Sequence, residues 1–384
     1  MPAIDHPITF LQGDYEHGWL ASRNSLKPLN HLEYLKEKRR MATLPGLPPE
    51  YALACHVEFH PSDACNLACK NCVYDNDIHS SRQFFSLAEI DKVFRFKPQS
   101  MVITGGGEPT LHPRFSELVG MLPDIQLALI TNGTVEPSGN WPDRFSWIRI
   151  SIDAATKDTY EWFRGRDYFD KVLRSFLQYL EYDIKYVGVG FVFSRYNMHE
   201  YADFARLIYD LVPARDRTRV NVQYRPLRRD PQHRSRPFFE ALSEQDIKDT
   251  ADQVFKLACE RPDMIPFLRE QTNITDVLGG NVHTPRPFSN CHYAELFKIV
   301  RANGDIRPCC ICPDDPALSL GNILTDSLDS IAQRMCNIVK LKAADYCNPV
   351  DCRMGSSISH TLEAGLKGKL EPSKSLDVQA DLMF

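Results

Sequence analysis

Ala64-Cys65-Asn66-Leu67-Ala68-Cys69-Lys70-Asn71-Cys72-Val73-Tyr74 sets three cysteines at a CxxxCxxC spacing, shortly after an apolar, strand-like run from Leu53 to Phe59. Thiolates hold iron-sulfur clusters, and a cube of four irons held by three cysteines leaves one iron open to a further ligand. A closed zinc site instead takes four ligands, in paired CxxC or Cys/His knuckles. No CxxC or HxxxH partner lies within about the next hundred residues. The spacing therefore favours a cluster, with zinc as the alternative.

Outward from this run, short β-rich segments alternate with helical ones. Six strands are expected: Leu53-Phe59, Ser100-Thr104, Gln126-Thr131, Trp147-Ile152, Tyr186-Phe193 and Val220-Tyr224. Helices are expected over Leu87-Phe96, Tyr168-Leu180 and Met198-Leu211. Repeated βα units make a parallel sheet, and right-handed crossovers can close it wholly or partly into a barrel whose function sits at the C-terminal strand ends. The expected fold is α/β, a partial (β/α)6 TIM-type barrel with a small C-terminal cysteine-rich auxiliary-cluster domain. The expected division is an arm over residues 1–50, a core barrel over 51–240, a helical linker over 241–285, and the cysteine-rich domain with a tail over 286–384. The arm carries a Lys/Arg cluster at Lys36-Arg40 and one short helix. Between Arg225 and Pro237 the arginines 228, 229, 234 and 236 form a polar connection, read as a solvated loop or as an anionic-substrate contact.

At 384 residues the chain is long enough for one large domain and a smaller one. A net charge of -5 gives no global attraction to nucleic acid or to an anionic membrane, so neither is expected as a partner. No signal peptide or apolar run long enough to span a bilayer is present, and the expected location is cytoplasmic. Twelve cysteines without an export signal suit metal ligation better than disulfides. They are clustered: three in the opening run and seven between Cys291 and Cys352, with Cys55 and Cys259 elsewhere, read as buried apolar side chains. His56 and His60 stand four apart, but in a strand-like run that spacing sets them about 13 Å from each other rather than on one helical face, and no HExxH pattern is present; His56, His60 and His112 are therefore assigned to packing or the surface.

After the second strand comes Thr104-Gly105-Gly106-Gly107-Glu108-Pro109, where glycines let a backbone pass close to a ligand. With CxxxCxxC after the first strand and GGEP after the second, the chain resembles the radical S-adenosylmethionine (radical SAM) superfamily. The resemblance implies that Cys65, Cys69 and Cys72 hold a 4Fe-4S cluster whose open iron chelates SAM. Reduction then yields methionine and a 5'-deoxyadenosyl radical that removes a hydrogen atom from substrate. It further implies SAM contacts from Gly106, Gly107 and Glu108. In Ile150-Ser151-Ile152-Asp153, followed by Tyr160 and Arg164, it assigns Ser151 and Arg164 to SAM, with Arg166 as an alternative to Arg164; arginine suits a carboxylate because its donors engage both oxygens. Asn132 and Gly133 line the same cavity or form a simple Asn-Gly turn, and Val192 faces adenine or belongs to the core. Family members often place an aromatic residue before the third cysteine. This chain has Asn71 there, and Tyr74 is the candidate to replace it or to pack at the barrel rim.

The later run, Cys291-x12-Gly304-x4-Cys309-Cys310-Ile311-Cys312 with Cys336, Cys347 and Cys352, resembles the start of SPASM and twitch extensions. The CxxCx5CxxxC string of a full SPASM domain is absent, so a twitch-like domain with one auxiliary 4Fe-4S cluster is expected. Its expected ligands are Cys291, Cys309, Cys347 and Cys352, with zinc as the alternative occupant. Cys310 and Cys312 are candidate hydrogen-atom donors or packing residues. The implied cofactors are thus the SAM-binding cluster, one auxiliary cluster and SAM, with an electron donor such as flavodoxin or ferredoxin. Two substrate classes are open. One is a small polar metabolite (an amino sugar, cyclitol or other alcohol, dehydrogenated or epimerised), favoured because the arm is too short for a leader-binding winged helix. The other is a ribosomally made peptide modified by a maturase. A non-catalytic iron-sulfur or zinc protein is the reading from another class.

Overall fold

A computed structural model of the protein describes residues 27–70, 72, 74, 82–227, 242–274, 291–309, 316–339 and 353–371. Helix α1 (Leu32–Ala42) precedes strand β1 (His56–Phe59), and strands then alternate with helices: α2 (Ile90–Val93), β2 (Ser100–Ile103), α3 (Phe115–Met121), β3 (Gln126–Thr131), β4 (Trp147–Ser151), α4 (Lys157–Arg164), α5 (Phe169–Tyr179), β5 (Tyr186–Phe193), α6 (Tyr201–Leu211) and β6 (Val220–Pro226). Next come α7 (Glu244–Glu260), α8 (Ile265–Glu270), α9 (His292–Leu296), β7 (Phe297–Val300), β8 (Asp305–Arg307), β9 (Gly321–Asn322), α10 (Leu328–Val339) and α11 (Arg353–Leu366). All six expected strands are present. The fold class is α/β with parallel strands, consistent with a partial TIM-type barrel. β1 starts at His56 rather than Leu53 because residues 49–52 form a 3-10 turn whose Tyr51 carbonyl accepts from the Lys38 ammonium, as does that of Leu53.

The chain divides into two compact units. One contains the described residues of 66–73 and 129–284. Here β4, β5 and β6 pair in parallel, Trp147 opposite Tyr186 and Val187 opposite Val220. α5 buries Phe169, Val172, Phe176 and Tyr179, one face of a 3.6-residue repeat. The ring of Phe204 on α6 lies 4.8 Å from Phe191 of β5, and Tyr201 stacks on Tyr224 of β6 at 4.0 Å. α7 begins in a capping box in which the Ser243 hydroxyl accepts from the Asp246 N–H and the Asp246 carboxylate accepts from the Ser243 N–H.

The other unit contains the described residues of 20–65, 74–128 and 285–384. β1 pairs in parallel with β2 on one side and β7 on the other, so that Val57 lies opposite both Met101 and Lys298. β7, β8 and β9 continue as an antiparallel meander. Leu35 of α1 joins Cys55, Tyr293, Leu296, Phe297, Ile299, Ile358 and Leu362 in one core, so α1 packs one face inward while Glu33, Lys36, Glu37, Arg39 and Arg40 stay exposed. Lys298 is fully buried there and donates to the carbonyls of Ala294 (3.0 Å) and Phe297 (2.9 Å). Burial pushes its ammonium down to about 7 and the neighbouring Cys55 thiol up to about 12.

Candidate functional site

The chain just before the first motif cysteine is clamped by the glycine turn. Gly107 N–H donates to Ser62 O (3.1 Å) and Glu108 N–H to Ala64 O (2.7 Å). A Cβ on Gly107 would stand 2.2 Å from Ala64 O, so only glycine permits this approach. Glu108 is buried, its Oε1 accepting from the Thr110 N–H at 3.1 Å and the Thr110 hydroxyl at 2.7 Å. Its carboxylate therefore shapes the turn. Gly106 lies against Tyr74: an added Cβ would meet the ring at 3.8 Å and Asp63 Oδ1 at 3.0 Å. Tyr74 is buried, edge-on to His60 at 5.9 Å, with the Arg301 guanidinium 5.6 Å from its ring centre.

The remainder of the cysteine loop is pinned within the other unit. Ala68 N–H donates to Arg164 O (3.1 Å), Lys70 N–H to Phe163 O (2.9 Å), and Cys72 N–H to Cys69 O (3.2 Å). Gly165 caps α4 in the left-handed conformation at φ 75°, and a Cβ there would fall 2.8 Å from Ala68 O. Asn66 is fixed from β3: Asn132 Nδ2 donates to Asn66 Oδ1 (3.0 Å) and Asn66 Nδ2 to Thr134 Oγ1 (2.8 Å). Asn132 also accepts from the Thr134 N–H at 2.9 Å, and Gly133 has φ 69°. An Asn-Gly turn thus anchors the residue that follows Cys65.

Arg164 is buried and committed. It ion-pairs with Asp153 (Nη2 to Oδ2, 2.7 Å), donates from Nε to Ile152 O (3.4 Å), and points Nη1 at the Cys69 sulfur (3.4 Å). Burial opposes its charge, but Asp153 and Cys69 more than offset this and raise its pKa. Arg166, the alternative, is exposed. Asp153 was not singled out by sequence, yet it is central. It holds φ 65°, a conformation few non-glycine residues adopt. Its Oδ1 accepts from the Val192 N–H (2.6 Å) and its carbonyl from Asn197 Nδ2 (2.8 Å). Glu200 closes the same region, accepting from Ala155 N–H (2.6 Å) and from the hydroxyls of Thr156 and Thr159. No local pattern marks these residues; their partners lie about forty positions away in sequence. Ser151 sits half-buried at the C-terminal end of β4.

In the C-terminal region, Cys291 precedes α9 and Cys309 follows β8, flanking the β7–β8 hairpin, and both pack against the core around Leu296 and Phe297. Gly304 turns the hairpin at φ 82°, with Ile323 N–H donating to its carbonyl (2.8 Å). Cys310, Cys312, Cys347, Cys352, Asn71 and the arginines at 228, 229, 234 and 236 lie outside the described residues. One expectation needs correction. Cys259 is exposed, because its place on α7 faces away from the apolar stripe. His56, His60 and His112 are all buried and bonded, to Ser100, Glu58 and Phe85 O respectively. Of the two roles expected for them, packing is the one they hold.

Among the described residues no three His, Cys, Asp or Glu side chains already stand together as a metal cage. The donor chemistry nevertheless fits an iron-sulfur group. Cys65, Cys69 and Cys72 are partly exposed cysteines close together in sequence, and the buried Arg164 guanidinium sets a positive charge beside the Cys69 sulfur. Metal ligation and local folding are coupled, so thiols need not be gathered beforehand.

Comparison with known proteins agrees. Residues 59–208 match the radical SAM superfamily, and residues 291–353 match SPASM, an iron-sulfur cluster-binding domain. Mycofactocin maturase MftC of Mycobacterium tuberculosis is 30% identical over 159 residues, 38% of this chain and 39% of the relative. A probable GTP 3',8-cyclase of Saccharolobus solfataricus is 28% identical over 159 residues, 38% of this chain and 51% of the relative. The matched part thus spans about half or less of these relatives. Among solved structures, Streptococcus suis SuiB bound to precursor peptide SuiA superposes with a TM-score of 0.54 at 13% identity, covering 79% of this chain and 67% of that one. AnSMEcpe with bound AdoMet gives a TM-score of 0.54 at 19% identity, covering 74% and 80%. The chain belongs to the radical SAM superfamily and carries a C-terminal SPASM iron-sulfur domain.

Proposed function

We propose that this protein is a radical SAM maturase that modifies a ribosomally made peptide. The observation that carries this reading is the pairing of a core similar to MftC, named a maturase, with a SPASM extension. Support also comes from the likeness of fold to SuiB bound to its precursor peptide and to anSMEcpe bound to AdoMet and a peptide. This favours the second of the two substrate classes open from sequence. The small-molecule class is the alternative outcome, since the same part of the chain is also similar to probable GTP 3',8-cyclases.

When bound, the cluster and SAM supply a 5'-deoxyadenosyl radical that takes a hydrogen atom from the substrate. The protein's own part is to hold and shield. Cys65, Cys69 and Cys72 ligate the cluster. The turn from Gly106 to Glu108 would present backbone groups to SAM, and Ser151, at the end of β4, is the polar residue that the family resemblance assigns to the same cofactor. Three of the five guanidinium N–H donors of Arg164 meet Asp153, Ile152 O and Cys69; the other two suit the SAM carboxylate. Tyr74, packed on Gly106, is the aromatic residue that would flank adenine. Cys291, Cys309, Cys347 and Cys352 hold one auxiliary cluster, an electron relay or acceptor, and a flavodoxin or ferredoxin supplies the electron.

Anaerobic reconstitution followed by reduction with dithionite tests the core of this reading: 5'-deoxyadenosine should form from SAM, and replacing Cys65, Cys69 and Cys72 with Ala should abolish it. Zinc in place of iron, with no SAM cleavage, would sink the enzyme. Deuterium passing into 5'-deoxyadenosine from a labelled peptide encoded beside this gene would support the maturase. Transfer only from a labelled sugar or nucleotide would overturn it in favour of the small-molecule reading.

A further inference from the structure

Buried ion pairs are weak sources of stability, because desolvation offsets most of their attraction. The Asp153–Arg164 pair is built with more constraint than stability asks. Asp153 adopts a strained left-handed backbone. Its carboxylate is fixed by the Val192 N–H, while Asn197 Nδ2 bridges the carbonyls of Asp153 (2.8 Å) and Val192 (3.0 Å). Arg164 is fixed from its own backbone side, its carbonyl accepting from Ala68 N–H and the next residue turning left-handed against Ala68. Two rigid supports therefore aim one guanidinium, and its Nη1 ends 3.4 Å from Cys69 Sγ. The pair is neutral as a whole but turns its positive end toward the sulfur.

We propose that Arg164, held by Asp153, is a positioning residue that hydrogen-bonds the Cys69 thiolate and sets the reduction potential of the SAM-binding cluster. This rests on the radical SAM reading above. One electron from a donor of the flavodoxin or ferredoxin class adds one negative charge to the cluster. A fixed cation donating to a ligand sulfur stabilises that added charge, and hydrogen bonds to sulfur are among the levers that tune such potentials. The role is separate from contact with SAM, so it should be visible before SAM is added.

The test is an EPR-monitored redox titration of the reconstituted, SAM-free holoprotein as wild type, Arg164→Lys and Arg164→Met. For Arg164→Met we expect the reduced fraction at a given solution potential to fall about tenfold, a downward shift of about 59 mV for one electron. Arg164→Lys keeps the charge but loses the planar fork, and should fall by less. The auxiliary signal should stay in place. An unchanged potential in Arg164→Met with full iron content overturns the proposal while leaving SAM cleavage by the wild type intact. Should Arg164→Met fail to hold iron, wild type grown on 15N-arginine decides by pulsed EPR. A nitrogen coupling to the reduced SAM-binding cluster that disappears in Arg164→Lys supports the proposal, and no coupling overturns it. A wild type without that cluster overturns the functional reading and this inference with it.

Discussion

At Gly107 a Cβ would lie 2.2 Å from a backbone oxygen that cannot move away, whereas at Gly120, exposed on α3, it would meet nothing within 4 Å. Gly107→Ala should therefore displace the backbone before Cys65 and cut 5'-deoxyadenosine formation at least about tenfold, the effect expected of small misplacements at a reacting site. Gly120→Ala should leave turnover alone and stabilise by about 0.5–1 kcal/mol, read as a higher Tm. Lys298 gives a pH dependence. Its folded pKa is lowered to about 7, against about 10.4 unfolded, so above pH 7 the unfolded chain binds the extra proton and stability rises with pH. The penalty for burying the charge is full below about 7. Lys298→Met removes this term, and its stability relative to wild type should decline by up to about 1.4 kcal/mol per pH unit between about 7 and 8.5 in denaturant titrations. Above that range the Cys55 thiol, pushed up to about 12, acts in the opposite sense. The glycine and cysteine motifs were legible because their chemistry is local in sequence. The duties of Asp153 and Glu200 were not, since a left-handed φ and a partner on another strand leave no spacing to read.

Strands and helices were the most legible level. β3 and β5 occupy the expected residues, because each is an apolar run bounded by turn formers. α2 is shorter than expected, since Leu87–Glu89 and Phe94–Phe96 tighten into 3-10 turns on either side of it. α7 offers an element-scale test. Its N-terminal donors depend on the Ser243–Asp246 capping box, so Ser243→Ala should cost about 1 kcal/mol, seen as a lower midpoint in urea without loss of bound iron. If iron falls with the midpoint, this helix supports the cluster directly.

For the molecule as a whole, iron content is the discriminating count. With one auxiliary cluster the wild type should bind about 8 Fe per chain and the Cys65/Cys69/Cys72→Ala variant about 4; about 12 in the wild type would mean two auxiliary clusters. The cysteine-rich extension was legible from its thiol spacing, although the twitch-like expectation was narrower than the SPASM match now found over residues 291–353. How it attaches was not legible. β1, the strand that leads into the cluster loop, has β7 as its second parallel neighbour, and β7 lies between Cys291 and Cys309. The extension therefore cannot be treated as a detachable accessory: it supplies β1 with its second hydrogen-bonded neighbour. A chain cut before Cys291 would leave β1 with a bare row of amides and carbonyls, the kind of surface that recruits strands from other molecules, and size-exclusion chromatography should find it aggregated.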